Sequence, residues 1–415
     1  MYSLTLAGRS TRWVISILFL FAAHNGTIAQ QQGSMHWVGT WTAAPVAIDN
    51  SNGTLGKTDF TIRNIVHTSL PGKLARAVFT NEMGTKPLTI GAARVALSTS
   101  GSQVLADSRS LTFQGKSSVT IPAGAKVFSD SFAMSLPAGS NLAISLYLPV
   151  QSIPVLTLHA FANQSNYTSP GDQTASASLT NAIESDSWHF LSAIEVEAPA
   201  SAAAVVTLGD SITDGAFSTR SANLRWPDDL ARRLQADPKT SGLAVLNEGI
   251  GGNRILHDEV GPNAGPSAIG RFDRDVLSQA SVKFLIILEG VNDIGIGTGP
   301  DHPKDTVSAD DLILGLSQLI ERGHTHGIKV YLGTIMPYKG LGFYYTETGE
   351  AERQAVNQWI RTTKLPDGVI DFDKALRDPA DPQRLNPALD IDHIHPNDAG
   401  HKAMADAVDL RSFKR

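Results

Sequence analysis

The pattern of apolar residues changes near residue 200, and this change constrains the fold more than any other feature of the chain. Between residues 36 and 198, short runs such as 74–79 and 142–148 are rich in β-branched or alternating apolar residues, which predicts β-strands. Pro-Gly and Pro-Ala-Gly turns recur between these runs, and no long stretch has a helical period. We therefore predict an all-β, jelly-roll-like antiparallel sandwich over residues 30–198.

Beyond an Ala-, Pro- and Ser-rich junction at residues 197–203, buried apolar runs alternate with amphipathic stretches. Strands are predicted at 204–208, 244–246, 284–288, 329–332 and 369–370, and helices near 226–235, 268–278, 309–326, 350–363 and 397–410. Alternating strands and helices with continuous apolar strands predict an α/β fold, with a doubly wound parallel sheet covered on both faces. This second unit is assigned to residues 199–415.

The first 29 residues have the pattern of a cleavable signal peptide. Arg9 and Arg12 precede an apolar stretch at 13–23, and small residues follow near Ala29. The apolar stretch is shorter than the ~20 residues that a membrane-spanning helix needs, although an uncleaved anchor stays open as the alternative. We predict a secreted or periplasmic protein without stable membrane insertion.

Composition excludes several kinds of chemistry. The formal net charge is −6, from 34 basic and 40 acidic residues, and no basic run is present, which argues against nucleic acid as the main partner. The absence of cysteine excludes disulfides, thiolate metal sites, iron–sulfur clusters and a cysteine nucleophile. Catalysis would have to use oxygen and nitrogen groups, and a neutral or weakly charged small-molecule substrate is favoured.

Polar residues follow the predicted strands of the second unit at four places. Ligands of doubly wound sheets bind outside the carboxyl ends of the strands, so these positions form the candidate site. The first strand runs into Ser211, the second into the glycines of 249–252, and the third into Asn292. Asp392 and His395 follow the last strand after a long loop, three residues apart. Together these segments offer a nucleophile, amide donors, a carboxylate and a base.

Other interpretations of these segments agree less well with the residues present. The glycine-rich segment 247–254 lacks the dinucleotide-binding pattern, because Arg254 stands where the third glycine is required. His393 and His395 are two possible metal ligands, but a third ligand of suitable spacing is not evident, so we predict no metal and no cofactor. The chain order Ser, Asp, His also occurs in α/β-hydrolases, yet their Gly-x-Ser-x-Gly elbow is absent.

The four segments resemble the SGNH, or GDSL, hydrolase family over about residues 203–412. The matching residues are Gly209-Asp210-Ser211, Gly252, Gly290 with Asn292-Asp293, and Asp392 with His395-Pro396. The resemblance implies a flavodoxin-like sheet and ester hydrolysis, with Ser211 as nucleophile, His395 as base and Asp392 orienting the base. It also implies Ser211, Gly252 and Asn292 as oxyanion-hole donors. Only the family's register selects Gly252 over the adjacent Gly251.

Segments 37–41, 65–69 and 81–85 of the first unit are similar to secreted SGNH hydrolases with an N-terminal β-domain, many of which are treated as carbohydrate esterases. We therefore predict a serine esterase acting on short-acyl esters of saccharides or aryl alcohols, with a small-molecule or oligosaccharide ester as its partner. Tyr338, Phe343, Tyr344 and Tyr345 in the loop after the fourth strand are possible substrate-binding residues, although packing within the loop is an equal alternative.

Two other functions stay open from the sequence. A lysophospholipase or thioesterase of the same family would differ in its acyl pocket. A noncatalytic saccharide-binding protein would use exposed faces of tryptophans in the β-sandwich, for which Trp37, Trp41 and Trp188 are the candidates.

Overall fold

The computed structural model describes residues 34–258, 263–299 and 305–413, and the predicted signal peptide at 1–29 lies outside these ranges. Residues 35–199, which we call the β-region, consist of strands joined by turns. The strands are β1 (Met35–Thr42), β2 (Val46–Asp49), β3 (Phe60–His67), β4 (Gly72–Thr80), β5 (Leu88–Ile90), β6 (Ala92–Leu97), β7 (Arg109–Leu111), β8 (Val119–Ile121), β9 (Lys126–Phe128), β10 (Phe132–Leu136), β11 (Asn141–Leu148), β12 (Val155–His159), β13 (Asn166–Pro170), β14 (Ile183–Ser185), β15 (Trp188–His189) and β16 (Leu191–Pro199).

Two antiparallel sheets account for most of the β-region. One has the order β1-β16-β4-β10 with β9 also paired to β4, and the other has the order β14-β13-β3-β11-β6-β7. The chain passes repeatedly from one sheet to the other, as in a jelly-roll-like sandwich. Strand β10 shows the expected alternation, since Phe132, Met134 and Leu136 are buried and the residues between them are exposed. The all-β prediction for this part of the chain is confirmed.

Residues 203–413, which we call the α/β-region, contain a five-stranded parallel sheet. Its strands are β17 (Ala203–Gly209), β18 (Leu243–Gly249), β19 (Val282–Leu288), β20 (Lys329–Gly333) and β21 (Gly368–Ile370). The helices are α1 (Ser211–Asp214), α2 (Trp226–Ala236), α3 (Ala268–Phe272), α4 (Val291–Thr298), α5 (Ala309–Thr325), α6 (Glu347–Thr362), α7 (Phe372–Leu376) and α8 (Asp398–Ala407). The strand order is β18-β17-β19-β20-β21, which is the predicted flavodoxin-like order.

The sequence patterns missed or misplaced some helical segments. The helix predicted at 268–278 ends at Phe272 and continues as a π-helical turn, Asp273–Leu277. The last helix ends at Ala407, and a separate 3-10 turn follows at Leu410–Phe413. Helix α4 was not predicted, because its two glycines lower its intrinsic helix propensity. Burial of residues 291–297 stabilises it instead, which is a tertiary effect that a local pattern does not show.

The β-region covers the edge strand β18 of the parallel sheet. The Ser69 hydroxyl accepts a hydrogen bond from the Val245 N–H at 3.1 Å, and its single proton is shared between the Thr40 carbonyl at 2.8 Å and the Val245 carbonyl at 3.1 Å. The Ser281 hydroxyl donates to the Trp37 carbonyl at 2.8 Å. The Ser69 contacts pair backbone groups of Val245 that an uncovered edge strand would leave free. Residues Met35–Arg415 form one compact unit.

Candidate active site

Ser211 lies where β17 leaves the sheet and the short helix α1 begins. The Asp210 carboxylate caps this turn, because its Oδ1 accepts a hydrogen bond from the Ile212 N–H at 2.9 Å. Burial raises the pKa of Asp210 to about 7. The cap fixes the strand-to-helix turn, so that the Ser211 side chain is presented at the carboxyl end of the sheet. Asp210 therefore has the turn-stabilising contact expected for a capping residue.

The Ser211 hydroxyl is in hydrogen-bonding contact with the imidazole of His395. The distance from Ser211 Oγ to His395 Nε2 is 2.8 Å, and the distance from His395 Nδ1 to Asp392 Oδ2 is also 2.8 Å. Since Nδ1 faces a carboxylate, it carries the ring proton, and Nε2 is left to accept the serine proton. The structure thus brings Ser211 together with Asp392 and His395, which follow it by more than 180 positions in the sequence.

The turn that carries His395 also holds its carboxylate partner in place. Burial would raise the pKa of Asp392, but hydrogen bonds from the ring and the backbone N–H of His395 outweigh it and lower the pKa. The other Asp392 oxygen accepts that backbone N–H at 2.8 Å. An ionised carboxylate is therefore locked against the imidazole. His393 is exposed and pairs with Asp390 at 3.2 Å, and the described residues contain no cluster of three or more metal-type ligands.

The two adjacent glycines of the predicted oxyanion block have different roles. The Gly251 N–H donates to Asp214 Oδ2 at 3.0 Å, so it is already engaged. Gly252 lies in the left-handed region at φ +77°, a conformation that side chains disfavour, and it lines the cavity next to Ser211. No acceptor for the Gly252 N–H is found within the described ranges. The geometry leaves Gly252, and not Gly251, with a donor free for substrate.

Asn292 is held in the first turn of α4 with its amide orientation fixed. Its Nδ2 donates to the Asn253 carbonyl at 2.8 Å, and its Oδ1 accepts from the Tyr344 hydroxyl at 2.7 Å. The second hydrogen on Nδ2 is not used by these bonds, and the side chain lines the cavity. The next residue, Asp293, accepts backbone N–H groups from Ile255 at 2.8 Å and Leu256 at 3.1 Å, which ties α4 to the glycine turn.

A cavity of about 600 Å³ opens above Ser211 and His395. Its lining includes three residues of the β-region, namely Phe161, Asn163 and Asp186. None of these three residues was predicted from the sequence. No local signal marks them, because they lie in loops between strands and meet the site only through the packing of the two regions. Phe217, whose ring centroid lies 5.2 Å from that of His395, was not predicted either.

The aromatic loop after β20 contributes only part of what was predicted. Phe343 and Tyr344 line the cavity, whereas Tyr338 and Tyr345 do not. Tyr338 is fully buried, with its ring packed edge-on against Tyr344 and Tyr345. Tyr345 directs its hydroxyl to Glu347 and Gln383. Tyr338 and Tyr345 therefore stabilise the loop by packing against their neighbours and do not reach the cavity.

The tryptophans considered for saccharide binding are largely unavailable for it. Trp41 and Trp188 are buried in the core with their ring centroids 5.1 Å apart, and Trp188 Nε1 donates to the Ile65 carbonyl at 2.7 Å. The guanidinium of Arg76 lies 4.4 Å from the ring centroid of Trp37. These rings therefore act mainly as packing groups of the sandwich.

The arrangement of the four strand-end segments agrees with a match to a known family. A model of the GDSL-like lipase/acylhydrolase family matches residues 207–403. Residues 207–403 belong to this family. The match begins within β17, ends within α8, and therefore includes every predicted catalytic and oxyanion-hole residue of the GDSL-like domain.

Several solved structures are similar to about half of the chain. A GDSL-like lipase from Bacteroides thetaiotaomicron is 20% identical and covers 50% of this chain and 87% of its own, with a TM-score of 0.37. The aryl esterase of M. smegmatis is 18% identical, with coverages of 50% and 96% and a TM-score of 0.39. An acetyl-xylooligosaccharide esterase from Geobacillus is 23% identical, with coverages of 51% and 93% and a TM-score of 0.38. No curated protein matches the chain.

Proposed function

We propose that the protein is a secreted or periplasmic serine esterase that hydrolyses short-acyl carboxylic esters through an acyl-enzyme on Ser211. The observation that carries this proposal is the hydrogen-bonded series from Ser211 Oγ to His395 Nε2, and from His395 Nδ1 to Asp392, with both distances at 2.8 Å. Serine is a weak nucleophile at neutral pH, and an adjacent base oriented by a third group is what activates it.

In the first half of the reaction, Ser211 Oγ attacks the carbonyl carbon of the ester while its proton passes to His395 Nε2. The carbonyl oxygen gains negative charge and meets the N–H groups of Ser211 and Gly252 and the side-chain amide of Asn292. These donors stabilise the transition state more than the ground state, which is the condition for faster chemistry. The bond to the alkoxy oxygen then breaks, and the alcohol leaves with the proton from His395.

In the second half, water attacks the acyl-enzyme. His395 takes a proton from the water, the same donors hold the new oxyanion, and the Ser211 ester bond breaks with return of the proton to Oγ. Asp392 keeps the imidazole in one tautomer and stabilises the imidazolium that forms in each half. Because the base must begin each half unprotonated, we expect activity to fall on acidification.

The lining of the cavity favours esters of neutral alcohols. Among the described residues that line it, none is lysine or arginine, while Asp186, Asp214 and Asp392 are acidic. Arg220 pairs with Asp186 from outside the lining, and its guanidinium also pairs with Glu184. A phosphate group would find no lining cation and would meet carboxylates instead, which disfavours a lysophospholipid.

Three exposed phenylalanines surround the mouth of the cavity. Phe161, Phe217 and Phe343 are 50%, 53% and 67% exposed, and each comes from a different segment of the chain. Aromatic faces of this kind bind the flat, apolar surface of an aryl group or a sugar ring. They support an aryl or saccharide alcohol as the leaving group of the ester.

The decisive variant is Ser211→Ala, tested with p-nitrophenyl acetate. We expect kcat to fall by at least about 10³-fold, because removal of a serine nucleophile eliminates the covalent route. The matched control is Ser317→Ala on α5, whose hydroxyl only bonds to the Ile313 carbonyl of its own helix, and we expect wild-type rates. Equal hydrolysis by wild type and Ser211→Ala would overturn the proposal.

A panel of esters tests the substrate class separately. Acetylated sugars, aryl acetates, p-nitrophenyl esters of increasing chain length and lysolipids are compared with the wild-type enzyme. We expect the highest kcat/KM for acetyl esters of sugars or aryl alcohols. A rise in kcat/KM with acyl chain length, or turnover of lysolipids above the acetates, would replace this assignment by a lysophospholipase or thioesterase.

A further inference from the structure

A buried histidine of the β-region contacts the catalytic helix α1. His159, at the end of β12, is 4% exposed. Its Nδ1 lies 2.9 Å from the Ala44 carbonyl oxygen, and its Nε2 lies 2.9 Å from Asp214 Oδ1. Asp214 is the last residue of α1, three positions after the nucleophile, and it is also buried. The mechanism described above does not use this pair.

The same aspartate holds the oxyanion-hole turn. While one Asp214 oxygen faces His159, the other accepts the Gly251 N–H at 3.0 Å. Gly251 immediately precedes Gly252, whose N–H is free to meet substrate. A continuous series of three hydrogen bonds therefore runs from the Ala44 carbonyl through His159 and Asp214 to this turn.

The hydrogen-bond partners define the protonation of His159. A carbonyl oxygen only accepts, so Nδ1 must carry a proton, and Nε2 faces a carboxylate, so it donates as well. Both conditions are met by an imidazolium, which supplies the positive charge that a buried carboxylate requires. The Trp188 ring packs against the imidazole with centroids 5.4 Å apart, and the cation of Arg225 lies over the Trp188 ring at 5.7 Å from its centroid.

The Gly251–Gly252 turn needs a fixed hydrogen-bond partner such as Asp214. Two adjacent glycines lose more conformational freedom than any other pair of residues when they become ordered. An oxyanion donor works only where its N–H already points to the position of the developing charge. A displacement of about 1 Å at such a group costs up to about 10²-fold in rate.

We propose that His159 is a positioning residue that acts through Asp214 on the Gly251–Gly252 turn, so that the β-region holds the oxyanion hole in its active geometry. This inference rests on the proposed function, since it assigns His159 to the same site. It gives the β-region a part in catalysis beyond the residues that line the cavity.

The test measures two rates for each variant. One is kcat for p-nitrophenyl acetate, and the other is the rate at which a fluorophosphonate labels Ser211. In labelling, Ser211 Oγ bonds to phosphorus, fluoride leaves, the serine proton passes to His395, and the phosphoryl oxygen occupies the oxyanion hole. The variants are His159→Gln, Asp214→Ala, the double variant and Asp214→Asn, with folding checked by circular dichroism and thermal unfolding.

The matched control is His189→Gln. His189 is also buried in the β-region, on the strand that pairs with β12, and its side-chain Nδ1 has no partner among the described residues. If the packing of a buried histidine were the only property that mattered, His159→Gln and His189→Gln would change kcat and the labelling rate by similar factors. We expect His189→Gln to keep wild-type kcat and labelling rates at 25 °C.

We expect His159→Gln and Asp214→Ala each to lower kcat and the labelling rate about tenfold or more, with little change in KM. The losses should not add in the double variant, because both act through one hydrogen-bond series. Asp214→Asn should lose less than Asp214→Ala, since an asparagine oxygen still accepts the Gly251 N–H while its amide donates to a neutral His159. If His159→Gln does not fold, the comparison of Asp214→Asn with Asp214→Ala decides.

Two outcomes with the His159→Gln and double variants overturn the inference while leaving the proposed function intact. One is a folded His159→Gln that is as fast as wild type, and the other is losses that add fully in the double variant. If the fluorophosphonate does not label the wild-type enzyme and the enzyme hydrolyses none of the esters, the proposed function itself is overturned, and the inference fails with it. Equal loss in Asp214→Asn and Asp214→Ala would also count against the series, because hydrogen-bond geometry would then not be the property that matters.

Discussion

At the scale of single residues, the site depends on side chains whose roles are fixed by their neighbours. Asn292 illustrates this, because an asparagine in a turn has no assigned role by itself. Its Oδ1 is occupied by the Tyr344 hydroxyl and one Nδ2 hydrogen by the Asn253 carbonyl, so only the remaining hydrogen is available to a ligand. The orientation of the amide is thus set before substrate arrives, which is what preorganised stabilisation of an oxyanion requires.

Replacement of this amide tests the oxyanion hole at the residue scale. Asn292→Ala should keep its fold and lower kcat by about 10²–10³-fold, the typical loss when one oxyanion donor is removed. The measurement is steady-state kinetics with p-nitrophenyl acetate, with KM expected to stay near the wild-type value. Turnover equal to that of wild type would remove Asn292 from the oxyanion hole.

At the scale of elements, the loop between β20 and α6 supports the site from two positions. The Tyr344 ring lies against α4 at Gly295, where a Cβ atom would come within 2.1 Å of the ring. This close approach lets the Tyr344 hydroxyl reach Asn292. Phe343 is exposed at the cavity mouth instead. One loop therefore carries Tyr344, which positions the amide of the proposed oxyanion hole, next to Phe343, which is exposed in the cavity lining.

Because Tyr344 bonds to Asn292 and Phe343 is exposed in the cavity, we expect their replacement to have different kinetic effects. Tyr344→Phe removes one hydrogen bond to Asn292 and should lower kcat by about threefold to tenfold, in line with the loss of one neutral hydrogen bond. Phe343→Ala removes exposed aromatic surface and should mainly raise KM for aryl and sugar acetates. Steady-state kinetics of both variants distinguishes them, and a Tyr344→Phe enzyme altered only in KM would contradict the positioning role.

The elements also show which parts of the site a sequence can predict. Ser211 and Asn292 follow strands, and His395 lies just before α8, so local patterns and the topology of a doubly wound sheet were enough to predict that they lie at one edge of the sheet. His159 and Phe161 carry no such signal. They reach the site only because the β-region packs on the α/β-region, and contacts between distant segments leave no periodic pattern in the sequence.

At the scale of the whole molecule, the contact between the two regions contains a titratable pair. Burial opposes the charged form of His159, but the charge and hydrogen bond of Asp214 outweigh it and raise the pKa of His159. Arg225 opposes this rise, while it pairs with Asp228 at 3.0 Å. A histidine pKa above its unfolded value of about 6.5 stabilises the fold fully below that pH, and this stabilisation is lost as the pH rises through the folded pKa.

The direction of this pH dependence can be tested by measuring unfolding. The difference in free energy of unfolding between wild type and His159→Gln should be larger at pH 6 than at pH 9. Each unit by which the pKa is raised corresponds to about 1.4 kcal/mol. His189 is a control with the opposite pH dependence, since burial lowers its pKa to about 4. Its contribution to the free energy of unfolding should therefore become smaller as the pH falls below about 6.5. A pH-independent difference for His159→Gln, measured by urea unfolding, would contradict a charged His159.

Activation of Ser211 as a nucleophile by His395 can be measured by mapping a fluorophosphonate adduct with peptide mass spectrometry. We expect one adduct on the peptide that contains Ser211 in the wild-type protein, and a labelling rate reduced by at least about 10³-fold in His395→Ala. An adduct on another residue, or labelling of His395→Ala at the wild-type rate, would contradict this activation.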